Sequence, residues 1–225
     1  NDFYKLWLDS SMTYSCAFFS SPDVSLEAAQ TAKHHRVATK LGLRPGMRLL
    51  DVGCGFGEMA IRAAADFGVE VVGVTLSQTQ LERGKQRVAE AGLSDRIELR
   101  LQDYRDIPEV GSFDAISSIG MFEHVGREML HEYFTDLYRL LKPGGRLLNH
   151  AISSPGGGRY GRYSFLNRYV FPDGELQDLA VTIDGIQKAG LEVRDVEALR
   201  EHYPMTLRAW LTNLDHQFDQ AVALV

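Results

Sequence analysis

Cysteine is scarce in this chain: its 225 residues hold two, Cys16 and Cys54. They fall in different predicted elements, so neither a disulfide framework nor a zinc site is expected. A reducing cytosol suits that usage best, and a cytoplasmic location is the expectation. No apolar run approaches the ~18 residues needed to cross a bilayer, and no signal peptide is visible, so any membrane contact is expected to be peripheral. Basic residues are short as well, with 24 Lys and Arg against 30 Asp and Glu and a net charge of −6. That balance argues against a nucleic-acid binder working by phosphate neutralisation, though not against a local basic patch. Internal repeats, heptad arrays and low-complexity tracts are also lacking. What remains is ordinary globular material, 44% hydrophobic and 24% charged, long enough for one large α/β domain with a full core.

The chain is organised around one stretch, Met47 to Gly57, which reads M-R-L-L-D-V-G-C-G-F-G. Leu49, Leu50 and Val52 form a short apolar run that stops at glycines on alternate positions, Gly53, Gly55 and Gly57. A buried strand, glycines able to take unusual dihedrals and then a helix bring backbone close to a nucleotide in α/β proteins. A dinucleotide fingerprint requires G-x-G-x-x-G, and Glu58 stands where its third glycine belongs. The remaining G-x-G-x-G behind Asp51 is the nucleotide loop of S-adenosylmethionine (SAM) methyltransferases. A glycine-rich turn without a ligand is the competing reading.

Upstream, apolar residues at helical spacing predict a helix from Asn1 to Leu8, so the natural start is expected to lie further upstream. Asp9-Ser10-Ser11 breaks it, and an alanine-rich helix then runs to about Leu41 with Asp23 or Ser25 as its N-cap. Beyond the Arg44-Pro45-Gly46 turn, strand and helix signals alternate. Strands are expected over 48–52, 70–75, 96–101 and 113–118, with helices over 58–67, 78–91 and 127–141. The turn Lys142-Pro143-Gly144-Gly145 then leads to a strand over 146–152. This order predicts an α/β fold with a doubly wound, mostly parallel, Rossmann-like sheet and its ligand at the carboxyl ends of the strands.

Residues 153–174 interrupt the pattern with Gly156-Gly157-Gly158 and a mixture of cations and aromatics from Arg159 to Tyr169. A helix over 178–189, a late strand over 191–199 and a helix from about Pro204 to the end follow. The last helix reaches the end without a cap, so chain is expected beyond it too. The whole reads as one domain: a helical cap over 1–45, a SAM-binding core over 46–152, a lid or substrate insertion over 153–180, and a C-terminal strand and helix over 181–225.

Within the cofactor half, Asp51 is expected to orient the glycine loop, whose backbone N–H groups and following helix approach the methionine part of SAM. Most such enzymes end the second strand with an acidic ligand for the ribose hydroxyls. Here Thr75 occupies that position, followed by Leu76, Ser77 and Gln80, and hydroxyl and amide groups make the same hydrogen bonds without a charge. Ser77 and Gln80 also read as a capping box, S-x-x-Q. Gln102, Asp103 and Tyr104 follow the third strand, where the adenine is contacted; Asp103 would accept from its exocyclic amine, or be a solvated loop carboxylate.

In the chemistry half, the fourth strand runs into Ile119-Gly120-Met121-Phe122-Glu123-His124. Taken alone, Glu123 reads equally as a helix-start carboxylate and His124 as a packing or capping residue. His150 is either a core histidine or, at its strand's carboxyl end, a base or anion ligand. Cys16 and Cys54 alone read as small buried hydrophobes, and Tyr203 as a core aromatic.

Taken together, five stretches carry a resemblance: Tyr14-Ser15-Cys16-Ala17-Phe18-Phe19, Leu50-Asp51-Val52-Gly53-Cys54-Gly55, Gly73-Val74-Thr75-Leu76-Ser77, Ile119 to His124, and His202-Tyr203-Pro204-Met205-Thr206-Leu207-Arg208-Ala209-Trp210. In this order the chain resembles the cyclopropane fatty acid synthase family, which includes the mycolic acid cyclopropane synthases and related fatty-acyl methyltransferases. The resemblance implies a class I SAM-methyltransferase fold with N-terminal helices and a lid insertion before the last strands. It also implies methyl transfer from SAM to a cis double bond of an acyl chain, usually on a phospholipid, giving a cyclopropane or a methyl or methylene branch. An alkene is a weak nucleophile, so the transition state builds carbocation character; the family holds bicarbonate near that charge, where it can stabilise the cation and take the final proton.

Carried over residue by residue, the resemblance puts this anion among Cys16, Glu123, His150 and Tyr203, with the backbone of Ile119. Glu123 would orient Tyr203 or accept the bicarbonate's own proton, and Tyr14 and Ser15 would touch SAM. Phe3, Tyr4, Trp7, Phe18, Phe19, Phe165 and Tyr169 are candidates for an acyl tunnel or lid, against a plain core reading. Arg159, Arg162 and Arg168 are candidates for anionic headgroups, against a mobile surface loop. The partner expected is an unsaturated acyl lipid at the inner face of a membrane; the oligomeric state stays open, with a homodimer among the options. A small-molecule O- or N-methyltransferase of the same fold is the alternative, and a SAM- or lipid-binding module without catalysis a third reading.

Overall fold

A computed structural model describes residues 2–159, 161, 163–170 and 174–224. After a short helix α1 (Asp2–Lys5), helix α2 (Leu26–Leu41) begins at Ser25, whose hydroxyl caps the Ala28 N–H, and ends at Gly42. Strand β1 (Arg48–Val52) lies in the middle of the sheet. Its Leu49, Leu50 and Val52 are buried because β1 pairs in parallel with β2 (Glu70–Thr75) on one side and β4 (Phe113–Ile119) on the other. Strands β3 (Ile97–Leu101) and β5 (Leu141–His150) extend the sheet to the order β3-β2-β1-β4-β5 among the described residues. The strand order reverses between β1 and β4, and the crevice beyond their carboxyl ends is where such sheets take a ligand.

Alternate strand residues feed two core layers, as the two-residue period of a strand requires. Leu49, Val71 and Leu99 meet α2, α3 (Glu58–Phe67) and α4 (Gln78–Glu90) on one face. Leu50, Val72 and Ile116 meet α5 (Leu130–Leu140) on the other, where α6 (Leu179–Lys188) packs against α5. A third cluster, Leu8, Ala17, Phe19, Leu26, Ala29 and Trp210, clamps the N-terminal segment between α2 and α7 (His202–His216). Helix α8 (Phe218–Ala223) follows. A separate antiparallel pair, β6 (Gly158–Arg159) with β7 (Glu175–Leu176), lies outside the main sheet.

Four local expectations are corrected. The first helix stops at Lys5, because the buried Asp9 carboxylate accepts the Ser11 and Thr13 N–H groups and turns the chain into an extended strap over 13–19. Lys142-Pro143-Gly144-Gly145 does not precede the fifth strand but lies within it: the partner register jumps from Leu141 to Arg146, a bulge with Gly144 at φ +77°, and the strand ends at His150. The expected strand over 191–199 is irregular and pairs with no strand among the described residues. Its acidic side chains turn to the cations of α2 instead, Glu197 to Arg36 and Lys40, and Asp195 to Lys40. The last helix starts at His202 and is broken at Gln217. Arg162 and the side chain of Arg159, named above for anionic headgroups, lie outside the described residues.

Candidate active site

The glycine loop closes onto β2: the N–H groups of Gly53 and Cys54 both donate to Val74 O at 3.0 Å. Gly53, at φ +74°, sits so close to Met121 that a Cβ there would stand 3.1 Å from the Met121 Cβ. Gly55, at φ +54°, faces open space, and this is the backbone a ligand can approach. Asp51 is buried beneath the loop, accepts the Ser117 hydroxyl at 2.7 Å, and burial pushes its carboxyl up to about 6.

At the end of β2, Ser77 Oγ caps the Gln80 N–H at 3.3 Å. The Gln80 side chain does not return to Ser77. Its Oε1 accepts the Thr75 hydroxyl at 2.9 Å, while Thr75 Oγ1 accepts the Ser77 N–H at 3.2 Å. Leu76 projects beside them, 74% exposed. Beyond β3, the Gln102 amide donates to Asp106 O, and the Asp103 carboxylate is gripped on both oxygens by Arg105, which holds it below the usual range. Tyr104 stands edge-on to Tyr133 at 5.4 Å, and burial pushes its phenol up to about 12.

The Glu-His pair after β4 splits. The Gly120 N–H donates to His150 O at 2.9 Å, tying the ends of β4 and β5 together. A single 3-10 turn, Phe122–His124, then buries Phe122 and Glu123 and leaves His124 exposed. Glu123 Oε1 accepts the Ile152 N–H at 2.8 Å; Oε2 is sealed from solvent without a partner, and burial raises the carboxyl above its ordinary value. His150 keeps some exposure as a residue, but its Nδ1 is sealed and also unpartnered. Burial, with the nearby Lys33 charge, pushes its imidazole down to about 4, so the ring is neutral at pH 7.

Cys16 and Tyr203 come from the strap and α7. The Cys16 thiol points at Ala17 O and Leu199 O, and burial raises it, so it stays protonated. Ala17 N–H donates to Thr206 Oγ1 at 3.0 Å and Phe19 N–H to His202 Nδ1 at 3.1 Å, sewing the strap to the start of α7. Tyr203 packs into that junction beside Trp210. Phe3, Tyr4, Trp7, Tyr14 and Trp210 form a chain of ring contacts, and Phe18 lies between His202 and the Arg36 guanidinium. Cys54 is a small buried hydrophobe packed at Gly73.

Sequence reasoning missed Lys33. It is 1% exposed, donates from Nζ to Ser15 Oγ at 2.8 Å, and stands within electrostatic reach of Cys16, Asp51 and His150. A signal existed: Leu26, Ala29, Gln30, Lys33, His34, Val37, Ala38 and Leu41 form the buried stripe of α2, and three of them are polar.

A doubly wound parallel sheet with a glycine loop at its switch point and an open approach to Gly55 is the architecture of class I SAM-dependent methyltransferases. The chain belongs to the mycolic acid cyclopropane synthetase family, whose description matches residues 1–225. Two probable fatty acid methyltransferases, one from Pseudomonas putida and one from Mycobacterium tuberculosis, are each 48% identical to it over 229 and 232 residues. All of this chain is matched, but 58% and 52% of theirs, so it spans just over half the length of those relatives. The crystal structure of mycolic acid cyclopropane synthase CmaA1 complexed with SAH and CTAB is similar at a TM-score of 0.91 and 36% identity, covering 99% of this chain and 82% of that one.

Proposed function

We propose that this chain is the methyl-transfer unit of an enzyme that alkylates the cis double bond of an unsaturated, phospholipid-bound acyl chain, giving a cyclopropane or a methyl or methylene branch. The observation that carries the reading is the pair of sealed, unpartnered polar atoms at the adjoining ends of β4 and β5, Glu123 Oε2 and His150 Nδ1. Buried polar atoms are costly when unmatched, so each of the two calls for a polar partner. A small-molecule O- or N-methyltransferase reading leaves them without a role. The relatives named for fatty acid methylation point the same way.

Bicarbonate suits this donor set. Its hydroxyl would find an acceptor in Glu123 Oε2, His150 would meet it as an uncharged ring, and the nearby Lys33 would offset its charge. When bound, SAM supplies an electrophilic methyl group, and bicarbonate supplies a base beside the cation that alkene methylation creates. This chain's residues do the rest. Glu123 presents its sealed, unpartnered Oε2 as the acceptor; the Cys16 thiol and the Ile119 backbone wall the site; Tyr203 covers it from α7.

Lipid access is proposed through residues 153–180, where Tyr163, Phe165 and Tyr169 are exposed and the Arg168 guanidinium lies over the Tyr169 ring. Among the described residues no helix is long and apolar enough to cross a membrane. The test is incubation with methyl-labelled SAM and phospholipid vesicles carrying cis-monounsaturated chains. Label is expected in the acyl fraction, and label confined to a polar small molecule overturns the reading. Stripping dissolved bicarbonate should slow the reaction; indifference to it removes the anion from the scheme.

A further inference from the structure

In its charged form Lys33 is a buried ammonium that no described residue neutralises directly. Asp9, Asp51 and Glu58 all act on it electrostatically, yet it makes no ion pair within 4 Å among the described residues. Each of those carboxylates is engaged elsewhere: Asp9 with Ser11 and Thr13, Asp51 with Ser117, Glu58 with Arg62 and Arg87. Among the described residues its one hydrogen bond runs to a neutral hydroxyl, Ser15 Oγ, at 2.8 Å. A buried charge left this way is expensive unless an opposite charge arrives.

The direction of that bond fixes what Ser15 can do. An ammonium has donors only, so Ser15 Oγ must accept, and its own proton is left to donate outward. That proton has no acceptor among the described residues. Ser15 also stands at the crevice: its Cβ lies 3.9 Å from where a Cβ on Gly120 would be, just past the end of β4 and next to Met121, which abuts Gly53. The hydroxyl is therefore a donor, strengthened by the cation behind it, at the switch point where the cofactor's amino-acid end meets the glycine loop.

We infer that Lys33 is a positioning residue for the cofactor: through Ser15 it orients and polarises a hydroxyl that holds the carboxylate of the methionine part of SAM. The inference concerns the cofactor alone and is independent of which acceptor is methylated. A purely structural lysine, balancing Asp9, Asp51 and Glu58, is the competing account, and the two differ in ligand selectivity.

The experiment is calorimetric binding of S-adenosylhomocysteine and of 5′-methylthioadenosine, which lacks the amino-acid end, to the wild type, Lys33→Met, Ser15→Ala and the double variant. Lys33→Met should weaken S-adenosylhomocysteine by on the order of tenfold and leave methylthioadenosine within about twofold, as expected for one lost charge-assisted contact. Ser15→Ala, which keeps the buried charge and spares the fold, should reproduce the selective loss, and the double variant should add little to either. Equal losses for both ligands, full additivity, or wild-type selectivity in Ser15→Ala would each overturn the relay.

Discussion

Burial pushes the ionisable groups around the crevice toward their neutral forms: Glu123 and Asp51 upward, Lys33 down to about 7 and His150 down to about 4. Burial here penalises fixed charge, and Lys33, near 7, is divided at neutral pH between its charged and neutral forms. Glu123→Gln keeps the size of the side chain and an acceptor for the Ile152 N–H but cannot take up a proton. Turnover should fall about a hundredfold or more, in the range of a lost acid–base group, while the affinity for S-adenosylhomocysteine stays within about twofold. Turnover at the wild-type rate would take Glu123 out of the chemistry. Glu123 and His150 drew notice in the sequence because they stand near recognisable strand ends, and the family resemblance gave them their proposed roles. Lys33 drew none, because a lysine in an alanine-rich helix is ordinary until the buried face of that helix is known.

Among the elements, the strand–helix alternation from β1 to α4 is carried by local signals, and the expected boundaries of β1, α3 and β2 coincide with those observed. Glu58, the residue displacing the third glycine, is buried at the start of α3 and ties it to α4 through Arg87. Gly73 shows how tightly this region is packed: a Cβ there would stand 2.6 Å from Leu99 Cδ2 and 3.0 Å from Cys54 Cβ. Gly73→Ala should cost about 1–3 kcal/mol of stability, as overpacking does, read as a lower urea midpoint at unchanged slope. Combined with Leu99→Ala it should lose less than the sum of the single losses. Strict additivity would show that the Leu99 contact is not the source. The 191–199 stretch pairs with no strand among the described residues, and no local pattern shows where its carboxylates go: Glu197 meets Arg36 and Asp195 meets Lys40 on α2, 161 and 155 residues away in sequence.

At the scale of the whole molecule, a chain with a net charge of −6 is proposed to reach a lipid through a small aromatic patch rather than a basic face. Phe165 and Tyr169 are 5.2 Å apart ring to ring and largely exposed, with Arg168 beside them. Replacing both aromatics with serine should reduce co-sedimentation with vesicles of phosphatidylglycerol by about tenfold or more, given ~1.5–3 kcal/mol for each large apolar side chain taken from water. Undiminished sedimentation would move the membrane contact elsewhere.

By itself the sequence determined the parallel α/β order and the class of cofactor, because each rests on residues within a few positions of one another. Only the tertiary structure decided which polar residues reach the crevice. Lys33 meets Ser15 across 18 residues, and the strap meets α7 across 183 and 189. Contacts at that separation depend on which face of a helix is buried and where a loop is clamped. The glycine turn at Gly53 to Gly57 needs neither.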